Sequence, residues 1–251
     1  MTGTVYLVGA GPGAPDLLTL RAARLLGEAD VVFHDALITA DVLGLARTAI
    51  KIPVGKRSGR HSTAQRFINK RLADAARSHR VVVRLKGGDP MLFGRAHEEI
   101  TYLTSRGVRV EVVPGVTAAV AASADLAISL TRRGAARSVA LVTPRVGKGE
   151  RESGWVASVL AADTAAIYMG AGEAEAIAAA LIGAGKPAQT PLALVEDASL
   201  PGRRVQYATL ADLARLVTRG GPTLILLGEV YREALAAAAQ PARRRLTSQR
   251  L

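Results

Sequence analysis

The chain has 251 residues, 49% of them hydrophobic, a mean hydropathy of +0.20 and a formal charge of +12. That is enough apolar material for a sizeable core in one large or two small domains, yet no apolar run approaches the ~18 residues that cross a bilayer, and the first residues enter a strand pattern without the basic flank and apolar core of a secretory leader. Cysteine is absent, which excludes disulfides, thiol catalysis and thiolate metal sites, and the four histidines, His34, His61, His79 and His97, lack metal-ligand spacing. A soluble, cytoplasmic protein without a membrane partner or a metal site is expected.

Residues 5–8, Val-Tyr-Leu-Val, form a short apolar run that breaks at Gly9-Ala10-Gly11-Pro12-Gly13. Pro15 and Asp16 open a predicted helix, as proline and acids do in a first turn, with Leu18, Ala22, Leu25, Leu26 and Ala29 at helical spacing. A second strand over 31–33 ends in His34-Asp35, and a helix over 62–78 follows, capped by Ser62 or Thr63. A third strand covers 81–85, a helix 96–105, and a fourth, alternating strand 108–113 before Pro114-Gly115. The small, apolar stretch 118–127 suits a closely packed helix. Strands are then predicted over 139–143, 165–169, 191–195 and 223–228, with helices over 173–182 and 210–217.

Strands alternating with helices predict an α/β protein with mostly parallel sheets. The turn 113–117 divides it into an N-terminal α/β lobe over 1–114 and a C-terminal α/β lobe over 115–240, with a ligand cleft expected between them. A basic tail over 241–251, carrying Arg243-Arg244-Arg245 after Pro241, is expected to be disordered.

Two glycine-rich turns carry chemistry. Gly9-Ala10-Gly11-Pro12-Gly13-Ala14 lies between a strand and a helix, as the dinucleotide fingerprint requires, and Asp35 sits where a ribose-binding acid belongs. A nicotinamide- or flavin-linked oxidoreductase is therefore one reading. Against it, Pro12 and Pro15 remove backbone donors that would face a pyrophosphate. The second turn, Lys86-Gly87-Gly88-Asp89-Pro90, ends a buried strand, where paired glycines let backbone approach a ligand. Arg84, Lys86 and Arg95 bracket it and suggest an anionic partner. The excess charge, mostly arginine, fits compositional bias, nucleic acid, or bidentate recognition of carboxylates and phosphates. With 4% aromatic residues, stacking platforms are scarce, and no nucleic-acid partner is expected.

Taken in order, these turns, together with Val54-Gly55-Lys56-Arg57, Val113-Pro114-Gly115-Val116-Thr117, Tyr168-Met169-Gly170 and Glu196-Asp197-Ala198, resemble the tetrapyrrole (corrin/porphyrin) methylases, and within them the uroporphyrinogen-III C-methyltransferase branch. The resemblance extends from about Val5 to Tyr231. It implies a homodimeric enzyme that takes a methyl from S-adenosyl-L-methionine, methylates uroporphyrinogen III at C2 and C7, and releases precorrin-2 and S-adenosyl-L-homocysteine. By the same resemblance Pro12, Gly87, Gly88, Asp89, Leu92, Thr117, Ala118, Met169 and Ala198 would line the donor pocket. Asp35 would be the proton acceptor and Lys56 the proton donor. The substrate's acetates and propionates make Arg57, Arg95, Arg132 and Arg133 the candidate substrate ligands.

The chain departs from the family pattern at several points. His34-Asp35-Ala36-Leu37 replaces Tyr-Asp-Arg-Leu, and Ala96-His97 replaces a Gly-Gly pair, adding bulk beside an expected substrate wall. Leu130-Thr131-Arg132-Arg133 replaces Leu-Thr-His-Arg, Thr143-Pro144-Arg145 replaces Thr-Gly-His, and Glu196-Asp197 replaces Glu-Asn. A paralogue acting on another precorrin-type tetrapyrrole is the alternative these exchanges motivate.

Overall fold

The computed structural model describes residues 2–55, 65–147 and 153–240. Lys56, Arg57 and the tail 241–251 therefore lie outside the described residues. The chain divides into two compact units, Met1–Asp125 with Asp197–Arg203, and Leu126–Glu196 with Arg204–Leu251.

The first unit runs β1 (Thr4–Gly9), α1 (Leu20–Glu28), β2 (Val31–His34), α2 (Ala40–Gly44), β3 (Ile50–Pro53), α3 (Gln65–Ser78), β4 (Val81–Lys86), α4 (Ala96–Thr104), β5 (Arg109–Val113) and α5 (Ala118–Leu126). Its sheet has the order β3-β2-β4-β1-β5, and all four pairings are parallel. Every residue of the central β4 is buried, as expected of a strand covered on both faces. Alternation along the strands sorts the core into two layers. Val5, Leu7, Val82, Leu72 and Leu103 pack on the side of α3 and α4, whereas Val8, Val83, Leu85, Leu25 and Leu26 pack on the side of α1 and α2.

Three local expectations differ from this unit. The helix expected from Pro15 is a single 3-10 turn, Pro15–Leu17, and α1 begins at Leu20, where the Thr19 hydroxyl accepts from the Ala22 amide. β3 was not expected; it is a short, largely exposed edge strand closed by a proline, which only an edge tolerates. Most of α5, assigned by sequence to the second lobe, falls in the first unit because the turn before it is bound to the loop after β4 and Asp125 is bound to residues 199 and 203.

The second unit contains β6 (Val139–Val142), α6 (Trp155–Ala161), β7 (Thr164–Tyr168), α7 (Ala174–Gly183), β8 (Pro191–Glu196), β9 (Arg204–Thr209), β10 (Thr223–Gly228) and α8 (Arg232–Ala239). Its sheet, β6-β7-β10-β8-β9, is mixed: only β6 and β7 run parallel, and the other three pairings are antiparallel. A mostly parallel second sheet was expected. The difference arises at β9, an unexpected strand joined to β8 through residues 197–203, a connection too short for the dozen or more residues of a parallel crossover. The helix expected over 210–217 is a 3-10 segment, Leu210–Arg215.

Candidate active site

The first unit gathers the ends of β1, β2, β4 and β5 at the carboxyl edge of one parallel sheet, where α/β folds bind ligands. The loops there are stitched together by their own backbone. Gly11 and Gly88 exchange both hydrogen bonds, at 3.2 and 2.7 Å, and the Ala10 amide donates to the Lys86 carbonyl at 2.7 Å. Gly88 adopts φ 66°, a conformation that favours glycine, and its α-carbon side faces Thr117. Asp89 clamps the assembly: one carboxylate oxygen accepts from the Met91 amide at 2.7 Å and the other from the Gly115 amide at 2.9 Å.

The loop 197–203 belongs to the same assembly. The Ser199 hydroxyl accepts from the Ala14 amide at 3.2 Å, the Ser199 amide donates to Asp125 at 2.6 Å, and Arg203 donates to the Asp125 carbonyl at 2.7 Å. Leu200 packs on Gly13, whose carbonyl accepts from the Thr39 hydroxyl at 3.0 Å. Of the expected donor residues, Pro12, Gly87, Gly88, Asp89, Leu92, Thr117, Ala118 and Ala198 thus lie on segments of one compact unit. Gly87 is exposed, and a Cβ placed on it would meet nothing closer than 3.9 Å, so its backbone is open to a ligand. Met169 lies in the second unit, after β7, exposed by 44% and held at φ 57°. Backbone strain in a non-glycine residue recurs in these motif turns, at Phe93, Arg95, Met169, Asp197 and Ser199, as it does in functional loops generally.

This geometry weighs against a dinucleotide. The Ala10, Gly11 and Ala14 amides are already donated within the protein, and Pro12 has none. The next α-helix starts only at Leu20, so its N-terminus does not open directly from the glycine loop, as the fingerprint requires.

The cations around the second glycine turn behave differently from expectation. Arg84 and Lys86 do not face an anionic ligand; they share the α3/α4 side of β4 with Val82 and are buried there, their side chains each 4% exposed. Both converge on Glu99 of α4, which is 0% exposed. Glu99 accepts from Arg84 Nε at 3.2 Å, from Lys86 Nζ at 3.1 Å to each oxygen, and from Gln65 Nε2 at 3.0 Å. The far side of the Arg84 fork, Nη2, donates to Asp35 Oδ1 at 2.5 Å. Burial, followed by the neighbouring Arg84 charge, pushes the Lys86 pKa down, with Glu99 and Asp35 opposing. Glu99, which sequence reasoning passed over, is the centre of this cluster.

Asp35 follows β2 and its side chain is 31% exposed, the accessible end of that chain of charges. Gly55 lies against the Asp35 backbone, since a Cβ there would fall 2.9 Å from its Cα and 2.6 Å from the Ala36 amide nitrogen. The candidate substrate arginines that are described lie at the surface. Arg95 makes a bidentate pair with Glu98 at 2.7 Å, a contact that holds the Glu98 carboxyl below its ordinary pKa. Arg132 pairs with Glu233 at 3.0 Å, and Arg133 is exposed.

Two of the departures from the family pattern lose their force here. Ala96 is buried in the α3/α4 core layer, so its methyl adds bulk to the core and not to a ligand wall. Asp197 sits at φ 54°, a conformation Asp and Asn both tolerate, so this exchange preserves the turn. Among the described residues no helix is long and apolar enough to cross a membrane, and no group of three or more His, Cys, Asp or Glu side chains could hold a metal.

The family model for tetrapyrrole (corrin/porphyrin) methylases matches residues 4–214. A siroheme synthase from Psychrobacter sp. is 45% identical over 232 residues, covering 91% of this chain and 48% of that protein. The chain spans about half the length of the curated relatives it matches. Two crystal structures of uroporphyrin-III C-methyl transferase from Thermus thermophilus match with a TM-score of 0.81. The native form is 42% identical over 92% of this chain and 94% of that one; the form complexed with S-adenyl homocysteine is 43% identical over 92% and 100%. The chain belongs to the tetrapyrrole (corrin/porphyrin) methylase family.

Proposed function

We propose that the chain is an S-adenosyl-L-methionine-dependent C-methyltransferase that converts uroporphyrinogen III to precorrin-2 by methylating C2 and C7. The observation carrying this reading is the loop assembly of the first unit, in which Gly11–Gly88, Asp89–Gly115 and Ala14–Ser199 hydrogen bonds draw together the segments bearing all the expected donor residues except Met169. The relative from Thermus thermophilus complexed with S-adenyl homocysteine supports it.

Bound there, the donor supplies an electrophilic sulfonium methyl; a pyrrole β-carbon attacks it, the carbon–sulfur bond breaks with its electron pair going to sulfur, and the thioether product leaves. No enzyme nucleophile is needed for that displacement. The open backbone at Gly87 and the turn at Thr117–Ala118 would orient the donor, and holding the reactants in line supplies roughly 7–11 kcal/mol of such a barrier. Asp35 would take the proton that the methylated ring must lose, a role suited to a partly exposed carboxylate at a strand end. Lys56 would return a proton to the macrocycle. Each Asp89 oxygen accepts from one backbone amide, which shapes the donor loop and leaves acceptor capacity for a contact with the donor. Arg57, Arg95, Arg132 and Arg133 would receive the substrate's carboxylates. The exposed Arg95–Glu98 pair is worth only about 0–1 kcal/mol and could be exchanged for such a contact. A cytoplasmic homodimer completes the proposal.

Calorimetric titration tests the donor assignment. S-adenosyl-L-homocysteine should bind and NADH should give no heat; the reverse pattern would return the chain to the oxidoreductase reading.

A further inference from the structure

The four charges Asp35, Arg84, Glu99 and Lys86 alternate in sign and balance, yet three of them lie buried within the first unit. Taking charges out of water is costly, and apolar side chains of similar volume commonly stabilise a core at least as well. Glu99 contacts no expected donor residue through these bonds. Its carboxylate is used entirely inward, on Arg84, Lys86 and Gln65, and Gln65 donates onward to Asn69 at 2.9 Å. The arrangement has one outlet. Arg84 holds Glu99 with Nε and Asp35 with Nη2, and also donates from Nη1 to the Leu85 carbonyl at 3.1 Å, so three sites fix its guanidinium plane. A planar fork held by Glu99 and by the Leu85 carbonyl presents Nη2 to Asp35 in one direction, which a lysine ammonium cannot reproduce.

We infer that Glu99, acting through Arg84, is a positioning residue for Asp35, holding one carboxylate oxygen so that the group meets the macrocycle in a single orientation. This rests on the reading of Asp35 as the proton acceptor. Lys86 supplies the second cation that lets Glu99 remain buried, and Gln65 orients the Glu99 oxygen that Arg84 uses. The inference concerns the proton-transfer step and not donor binding, because the donor loops are tied together by other bonds.

The test is a double-mutant cycle of Arg84→Lys and Asp35→Asn in the full chain, read by turnover of uroporphyrinogen III and by calorimetric binding of S-adenosyl-L-homocysteine. Misplacing a catalytic group by about an ångström costs up to about a hundredfold in rate. Arg84→Lys should lower kcat by roughly ten- to a hundredfold, leave KM and S-adenosyl-L-homocysteine affinity within about twofold, and cause no further loss in the Asp35→Asn background. Glu99→Gln, which keeps the shape of the side chain, should reproduce the kcat loss and serves if Arg84→Lys does not fold. An inactive Asp35→Asn with an unimpaired Arg84→Lys, or losses that multiply in the double variant, would overturn the positioning role and leave Asp35 as the base. Full turnover by Asp35→Asn would instead remove the base assignment, and the positioning role with it.

Discussion

Gly9 and Gly115 lie back to back at the ends of β1 and β5: a Cβ on Gly9 would fall 2.7 Å from the Gly115 Cα, and one on Gly115 would fall 2.9 Å from the Gly9 Cα. Both would also press on the Gly88 carbonyl. All the obstructing atoms belong to backbone, so neither clash can be relieved by a rotamer change. Gly115→Ala should therefore cost about 1–3 kcal/mol in urea unfolding and weaken S-adenosyl-L-homocysteine binding by displacing the loop. Gly27→Ala in α1, where the added Cβ meets nothing within 4 Å, should gain about 0.5–1 kcal/mol. Equal effects at the two sites would contradict the close approach.

The two clusters of charge in the first unit should respond very differently to mutation. Glu99→Leu removes the buried counter-charge of Lys86, leaves Arg84 with Asp35 as its remaining carboxylate, and should cost about 3–5 kcal/mol. Arg95→Ala removes an exposed pair and should change stability by only about 0–1 kcal/mol. Denaturant midpoints at constant slope give both values.

Lys86 gives stability a pH signature. Its pKa in the folded chain lies below the usual 10.5, chiefly through burial. Between the lowered value and 10.5 the unfolded chain holds more protons than the folded one, so stability rises with pH in that window. The contribution is complete above 10.5 and is lost as pH falls through the folded value. Unfolding free energies of the wild type minus those of Lys86→Met should climb with pH across the alkaline range below 10.5; parallel curves would show that Lys86 titrates normally.

Met169 separates strain from function. At φ 57° and well exposed, it pays for its conformation without much packing in return. Met169→Gly should leave the melting temperature unchanged or raised, whereas Met169→Val should lower it. A loss of S-adenosyl-L-homocysteine affinity in the glycine variant, with stability kept, would mark the side chain as a ligand contact.

The parallel half of the fold was legible because its strands are buried on both faces and read as continuous apolar runs, 81–83 most clearly. β3 and β9 were not, since β3 is largely exposed, β9 is half-buried, and their polar residues dilute the pattern. For β9 a signal existed: Val205 and Tyr207 alternate with polar neighbours, the period-two pattern of a strand. The motif turns were legible through their glycines, whose spacing is a backbone property. What they do with one another, Gly11 with Gly88 or Asp89 with Gly115, is a tertiary relation that spacing does not encode.

The charged residues were the least legible. Arg84 and Lys86 read as ligand-facing because they flank a loop, but they stand two apart with Val82 on one strand face, and that register points them into the core. The same reasoning applied to α4 would have set Glu99, one turn from Leu103, on the buried side of that helix. Arg95, outside the strand, lies at the surface in its pair with Glu98.

Anaerobic incubation of the purified chain with uroporphyrinogen III and methyl-labelled S-adenosyl-L-methionine tests the central claim most directly. The account predicts label in the macrocycle, two methyls on each ring and one S-adenosyl-L-homocysteine formed for each methyl. An unlabelled macrocycle from protein that still binds S-adenosyl-L-homocysteine would contradict it.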